Sequence, residues 1–311
     1  MIINLPFSAL RAFEAVARHG GFSSAAGELG VSQSAISQQV KSLEEWLGQE
    51  LLIRGARQSV LTSEGQQLAQ AIIEGLGHIS DVCVQLRDRK RTNKTIIISC
   101  LPGFAFNWLF PRLLRFDLAY PEISISIITD IGKMPFSGVE ADIGIRYGLG
   151  NHPGLYREEL LEESLFPVCA PNLLSKANKL ESVSDLKNQT LLVDETLVFG
   201  TSAPTWDYWA RACNVSLPSS IRTRKFGQAN LVVQAAIEGM GIALGREPLV
   251  IDALNDGRLV RPLEQTTQSP LSYWLVCRNA LANKPNIKKF FNWIHTEANA
   301  PQTLPGPLVY E

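Results

Sequence analysis

The stretch FSSAAGELGVSQSAISQQVKSLEEWLGQELLIR, residues 22–54, decides how the start of this chain folds. Its apolar residues recur at spacings of three and four on both sides of a Gly30-Val31-Ser32 turn, which predicts two short amphipathic helices. The first helix is expected to begin after Ser23 or Ser24, and Gly30 suits the left-handed position after its end. Ser32 is expected to cap the second helix. The buried stripe of that second helix is expected to be Ile36, Val40, Leu43 and Leu47.

The outer face of the second helix carries amide and hydroxyl groups near its start. Glutamine can pair with adenine at two atoms, and serine can bond to several bases, so this face predicts a recognition helix for the major groove. An ordinary helical hairpin with a polar outer face would show the same pattern. The candidate DNA-reading residues here are Ser32, Gln33, Ser34, Ser37, Gln38 and Lys41.

A two-stranded wing is predicted to follow the second helix. Residues 50–54 and 59–62 indicate two short strands joined by a basic tip, where Arg54 and Arg57 could reach the DNA backbone or minor groove. A further helix, residues 6–18, precedes the pair. Its inward residues are expected to be Leu10, Phe13, Val16 and Ala17. Together these elements predict a winged helix-turn-helix DNA-binding domain over residues 1–61.

The run from Leu5 to Gly65, including AISQQVKSLEEWLGQELLIR and LTSEG, resembles the N-terminal domain of the LysR-type transcriptional regulators. The resemblance implies double-stranded promoter DNA as a partner, a homodimer or homotetramer, and RNA polymerase if the protein is an activator. Residues 1–65 contain five basic and six acidic side chains, so bulk positive charge cannot drive binding. We therefore expect local positive charge on the wing and Lys41, and discrimination by neutral side chains.

A long helix is predicted from Thr62, within a linker over residues 62–91. Its apolar residues form a heptad seam, which favours pairing with a second copy, although packing against its own domain is the alternative. The seam consists of Ala69, Ile72, Leu76, Ile79, Cys83 and Leu86. The charged run at residues 87–94 indicates a solvated linker that could also contact phosphates.

Beyond Lys94, β-branched runs alternate with helical patterns, which predicts parallel sheets with crossover helices. The expected strands are 95–101, 123–129, 141–147, 165–170, 191–194, 221–226, 242–244 and 271–278. We expect two α/β lobes with crossings near Glu163 and Gln265. They resemble the periplasmic-binding-protein-like effector domain of the LysR-type family, and PGFAFNWLFPRL is most similar to the branch of glycine-cleavage-system activators and β-lactamase regulators. The expected domain covers 92–300, with lobe I at 92–163 and 266–300, lobe II at 164–265, and an extended tail at 301–311.

Ligands of open α/β sheets bind beyond the carboxyl ends of the strands. A small effector with a carboxylate and an amine suits the groups found there: backbone N–H groups near Gly103 and the Arg146 guanidinium for the carboxylate, and Asp130 or Asp194 for the amine. Relatives often carry Ser or Thr where Gly103 stands. Alternatively, Arg146 pairs internally with a neighbouring acid, and Asp130 merely caps a loop. The candidates are Ser99, Cys100, Pro102, Gly103, Phe104, Asp130, Arg146, Tyr147, Thr201, Ser202, Gln228 and Asn230, with Asp194 and Arg246 also in the opposite lobe.

Composition fits a cytoplasmic regulator: 311 residues, 45% hydrophobic, 19% charged and a net charge of −1. No apolar run approaches membrane-spanning length, and the N-terminus has no leader pattern. Five scattered cysteines, without a C-x-x-C pair or grouped histidines, indicate neither a metal site nor a cofactor, and no catalytic motif indicates an enzyme. The alternative is a cytoplasmic small-molecule-binding α/β protein or enzyme with an N-terminal helical oligomerisation module.

Overall fold

The structure is a computed structural model that describes residues 5–54, 59–87, 94–129, 141–174, 180–195, 203–301 and 304–307. The chain divides into two compact units, residues 1–91 and 92–311. None of the described helices is both long and apolar enough to cross a membrane.

The first unit is a winged helix-turn-helix followed by a long helix. Its elements are α1 Phe7–His19, α2 Phe22–Leu29, α3 Gln33–Leu47, β1 Leu52–Arg54, β2 Ser59–Leu61 and α4 Ser63–Arg87. Gly30 ends α2 in the left-handed conformation at φ 66°, and the Ser32 hydroxyl accepts from Ala35 N at 3.2 Å, as predicted. The predicted start after Ser23 or Ser24 is wrong, because α2 begins at Phe22 after the extended Gly21, and no side chain caps it.

Apolar faces of all four helices form the core of this unit. Ile36, Val40 and Leu43 are fully buried, but Leu47 is 37% exposed, so the predicted stripe of α3 is one residue too long. The α4 residues Ala69 and Ile72 lie in the same core.

The expected seam of α4 is therefore partly used within its own unit. Leu76 also packs against the core, whereas Ile79 is 53% exposed. The side chains of Cys83 and Leu86 lie outside the described residues.

Lobe I of the second unit is built on a five-stranded sheet of order β4-β3-β5-β12-β6. The strands are β3 Thr95–Cys100, β4 Ser124–Thr129, β5 Ile143–Gly148, β6 Leu155–Leu161 and β12 Ser272–Arg278. A continuous helical segment follows β3: α5 Pro102–Phe104, a π-helical turn Ala105–Leu109, and α6 Phe110–Ala119. The short helix α10 Asn279–Ala282 and the helix α11 Pro285–Ala298 complete the lobe.

Lobe II has a second sheet of order β11-β7-β10-β8-β9. Its strands are β7 Ser164–Val168, β8 Thr190–Asp194, β9 Arg222–Phe226, β10 Ile242–Arg246 and β11 Thr267–Gln268, and its helices are α7 Trp206–Ala212, α8 Ala229–Ile237 and α9 Glu247–Asn255. The expectation of parallel sheets holds for β4-β3-β5 and for β10-β8-β9. It is wrong for β7 and β12, because the strands beside the two crossings pair antiparallel. The antiparallel strands β6 and β11 were not predicted from the sequence.

The lobes are joined by two crossing segments and a shared apolar core. One crossing contains Glu163 and the other Ser269, whose N donates to Glu163 O at 2.8 Å. Phe104 and Trp108 of lobe I share one core with Leu249 of lobe II. The two lobes are therefore packed together rather than merely tethered.

Part of the C-terminal tail is held against this unit. Leu304 packs on the shared core, and Arg261 Nη1 donates to Pro305 O at 3.1 Å. Residues 302–303 and 308–311 lie outside the described residues.

Candidate functional site

The start of α3 presents the polar face that the sequence predicted. Ser32, Gln33, Ser34, Gln38 and Lys41 are exposed, whereas Ser37 is half-buried. The Ser32 and Ser34 hydroxyls lie 2.9 Å apart, so the capping serine also holds its neighbour. These neutral hydrogen-bonding groups are of the kind that contact base edges.

Positive charge on this face is limited. Lys41 Nζ lies 3.6 Å from Glu45 Oε1, and their side chains are 68% and 65% exposed, so the pair is weak and solvated. Arg57 and the wing tip, residues 55–58, lie outside the described residues, as does the side chain of Arg54.

Glu44 ties the wing to α3, and sequence analysis missed it. Its Oε1 accepts from Leu51 N at 2.9 Å and from Leu52 N at 3.2 Å. The carboxylate thus satisfies two backbone donors at the start of β1. The available signal in the sequence was the position of this acidic residue, next to the predicted buried residue Leu43 and shortly before the wing.

A small cleft separates lobe I from lobe II. Its lobe I wall is formed by Leu101, Pro102, Gly103 and Phe104, and the opposite wall by Asp194, Gln228 and Ala229. Arg246, Leu249 and Tyr273 complete the lining. The cavity measures about 20 Å³, and an adjoining one of the same volume shares Asp194, Ala229, Arg246 and Leu249. This is room for about one water molecule in each.

The start of two helices borders the cleft. The first backbone donor that is bonded within the α5–α6 segment is Ala105 N, and in α8 it is Leu231 N. The N–H groups of Gly103, Phe104, Ala229 and Asn230 therefore precede the helical hydrogen-bond ladders. Such N–H groups favour negatively charged ligands.

A buried polar network adjoins the cleft. Arg246 Nε donates to Glu163 Oε2 at 2.8 Å, and Arg246 Nη2 donates to the Tyr273 hydroxyl at 2.8 Å. The Tyr147 hydroxyl donates to Glu163 Oε1 at 2.5 Å, and the Arg246 guanidinium lies 4.0 Å from the Tyr147 ring centroid. Burial raises the pKa of Glu163, and the neighbouring Arg246 opposes this shift. The network thus links both lobes through one ion pair.

Three predicted residues are placed away from the cleft. Cys100 is fully buried in the apolar core, and this burial raises the pKa of its thiol to about 12. Ser99 is 2% exposed, and its carbonyl and hydroxyl accept from Arg146 at 2.9 and 3.0 Å. Arg146 is therefore engaged internally with Ser99. The residue types alone could not reveal this choice of partner.

From the predicted set, the cleft brings together Pro102, Gly103, Phe104, Asp194, Gln228 and Arg246. Tyr147 lies in the polar network, and Asn230 N lies 3.5 Å from where a Cβ on Gly103 would stand. Asp130, Thr201 and Ser202 lie outside the described residues. Sequence analysis missed Glu163, Leu101, Ala229, Leu249 and Tyr273, of which Leu101 and Ala229 adjoin predicted residues and could have been included.

Two family models match the chain in the order of these two units. Residues 7–66 match the helix-turn-helix of the bacterial regulatory proteins of the LysR family, and residues 89–299 match the LysR substrate binding domain. The chain belongs to the LysR family. It is a LysR-type transcriptional regulator with an N-terminal helix-turn-helix and an effector-binding domain.

Curated relatives agree with this assignment along nearly the whole chain. The regulator is 37% identical over 297 residues to the glycine cleavage system transcriptional activator of Escherichia coli K12, covering 96% of this chain and 95% of the relative. It is 32% identical over 291 residues to the transcriptional activator AmpR of Citrobacter koseri, covering 94% and 98%. These are members of the branch that the sequence motifs indicated.

A solved structure agrees with the fold of the second unit. The AmpR effector binding domain of Citrobacter freundii superimposes with a TM-score of 0.55 at 24% identity, covering 67% of this chain and all of that chain. The two-lobed fold of LysR-type effector domains is therefore present in this regulator.

Proposed function

We propose that this LysR-type regulator binds a small effector with both a carboxylate and an ammonium group in the cleft, and that the effector modulates promoter binding or transcription activation. The single observation that carries this proposal is the position of the Asp194 carboxylate on a cleft bordered by the first turns of α5 and α8. Asp194 would accept the ammonium group, and the free N–H groups would hold the carboxylate.

The main-chain N–H groups, rather than Arg146, would bind the effector carboxylate. Arg146 donates to Ser99, and Arg246 is neutralised by Glu163 at 2.8 Å. A ligand carboxylate would have to compete with Glu163 for Arg246, which makes the helix N-termini the better carboxylate site. The remaining candidates at this site are Pro102, Gly103, Phe104, Gln228 and Asn230.

A thermal-shift measurement on the full chain tests this effector class. Glycine and L-alanine are compared with acetate and methylamine, each of which carries only one of the two charges. We expect glycine or L-alanine to raise the melting temperature, and acetate and methylamine not to raise it, because a ligand stabilises the state that it binds. Asp194→Asn should abolish the rise, whereas Asp207→Asn, the same change at an exposed site on α7, should keep it. Equal responses to methylamine or acetate would contradict the proposal.

We further propose that the chain acts as a homodimer or homotetramer on double-stranded promoter DNA. Phe106, Phe110, Leu114 and Leu118 recur every fourth residue along the π-turn and α6, with exposures of 55%, 46%, 68% and 75%. Such a row is suited to pack into the groove of another helix. Leu114→Ser with Leu118→Ser should lower the mass found by sedimentation, while Leu149→Ser, at an exposed site outside the row, should not.

The identity of its relatives favours activation over repression. Both curated relatives described above are named as transcriptional activators. We infer that this regulator also recruits RNA polymerase, acts in the cytoplasm where promoter DNA is found, and regulates transcription rather than catalysing a reaction. In vitro transcription from its operator, with and without the protein, tests this: a fall in transcript would indicate repression.

A further inference from the structure

Gly103 and Ala229 face each other across the cleft. Gly103 lies in the first turn of α5 in lobe I, and Ala229 is the first residue of α8 in lobe II. A Cβ built on Gly103 would lie 2.9 Å from Ala229 Cβ, which is closer than two such carbons normally approach. The two lobes therefore meet at a distance that only glycine permits at position 103.

This contact depends on one methyl group. After Ala229 Cβ, the nearest atoms to a Cβ at position 103 are Asn230 N at 3.5 Å and Ala229 Cα at 3.7 Å. Both are ordinary van der Waals distances. Removing the methyl group of Ala229 would therefore make room for a methyl group on residue 103.

Wide separation of the lobes is opposed by other contacts. Arg112 on α6 donates to both carboxylate oxygens of Asp252 on α9, at 2.8 and 2.9 Å, and Arg112 is only 3% exposed. Phe104 and Leu249 belong to the core that the lobes share. Opening the cleft widely would expose this apolar surface and break the ion pair. An effector must therefore fit after only a small separation.

We propose that Gly103 and Ala229 form the closure contact of the cleft and act as a steric filter that admits only the shortest amino-acid-like effectors. The inference rests on the proposed function, which assigns the effector to this cleft. It adds what limits the size of the effector, because the cavity beside the contact between Gly103 and Ala229 measures only about 20 Å³. One methylene group in such a pocket changes affinity by roughly 10- to 200-fold.

A methyl-transfer experiment tests the contact without any ligand. Gly103→Ala, Ala229→Gly and the double variant are made in the full chain, with Ala119→Gly as a control for the loss of an exposed helical methyl group. We expect Gly103→Ala to lower the melting temperature of the wild type by several degrees, but to have little effect on Ala229→Gly. Effects that simply add, with no coupling between the two positions, would overturn the inference.

A ligand series then tests the filter. The melting temperature of each variant is measured with glycine, L-alanine, L-valine and L-leucine. We expect the melting temperature of Ala229→Gly to rise with the next larger amino acid of the series than the largest that raises that of the wild type. The largest amino acid that raises the melting temperature of Gly103→Ala should be at least one member smaller than for the wild type. The double variant and Ala119→Gly should both show the wild-type range.

The outcomes separate the filter from the effector class. An equal response of the wild type and Ala229→Gly to all four amino acids would overturn the filter. Coupling between positions 103 and 229 without a response to any amino acid would support the closure contact and contradict the amino-acid-like effector of the proposed function.

Discussion

Arg246 and Glu163 form a buried ion pair at the junction of the two lobes. Glu163 lies in the crossing between β6 and β7, and Arg246 ends β10 beside the cleft, with 2.8 Å between Arg246 Nε and Glu163 Oε2. Tyr147 and Tyr273 hydrogen-bond to the pair from lobe I. The same ion pair thus borders the cleft and one of the segments that joins the lobes.

Glu163→Gln should destabilise the effector-binding unit by about 3–5 kcal/mol, because it leaves the buried Arg246 guanidinium without a counter-charge. Five of the six tryptophans lie within residues 92–311, so urea unfolding followed by fluorescence reports mainly on this unit. The control is Glu122→Gln, which breaks the exposed pair with Lys289 and should cost less than about 1 kcal/mol. Equal losses for both variants would contradict the assigned role.

Glu44→Ala should loosen the wing, because two backbone donors of β1 lose their charged acceptor. Hydrogen bonds to charged groups each contribute about 1.5–3 kcal/mol. Hydrogen–deuterium exchange should therefore rise at Leu51 and Leu52. Glu45→Ala removes the same charge from the exposed face of α3 and should leave this exchange unchanged. Equal exchange rates at Leu51 and Leu52 in Glu44→Ala and Glu45→Ala would show that the wing does not depend on Glu44.

Gly65→Ala should destabilise the first unit, whereas Gly75→Ala on the same helix should not. A Cβ on Gly65 would lie 2.1 Å from Leu51 O, but one on Gly75 meets no atom within 4 Å. We expect a loss of about 1–3 kcal/mol for Gly65→Ala and a gain of about 0.5–1 kcal/mol for Gly75→Ala. Exchange rates in residues 63–72 measure both effects. A tolerated Gly65→Ala would exclude this close approach of α4 to the wing.

The link between α1 and α2 should weaken in acid. Hydrogen bonding from Arg18 lowers the pKa of Glu28 from 4.5 to about 2. Because the folded-state pKa is depressed, the stabilisation is complete above pH 4.5 and is lost as pH falls towards 2. Glu28→Gln should speed amide exchange in α1 and α2 at pH 6, after correction for intrinsic rates, and the difference from the wild type should shrink by pH 3. A difference independent of pH would refute the titration of Glu28.

Local chemistry allowed much of the fold to be predicted. Gly30 and Ser32 mark the turn before α3 because backbone conformation and capping depend on neighbouring residues. The partial use of the α4 seam was not predictable, because the burial of Ala69 and Ile72 depends on the position of distant helices.

Long-range contacts also limited the prediction of the cleft. Arg146 and Arg246 both lie near the carboxyl ends of strands, yet Ser99 holds the first and the second lines the cleft. Gly103 was predicted from its place after β3, but its contact with Ala229 arises only when the lobes come together.

The most direct test of the account is the sequence preference of the full chain for an operator selected from random DNA, measured by fluorescence anisotropy against a scrambled duplex over a range of salt concentrations. Replacing both Gln33 and Ser37 with Ala should reduce the preference by roughly 1–3 kcal/mol per lost base contact, with an unchanged salt slope because phosphate contacts remain. Gln49→Ala, just beyond α3, should retain the preference. An undiminished preference in the double variant would contradict the claim that the neutral face of α3 reads the DNA sequence.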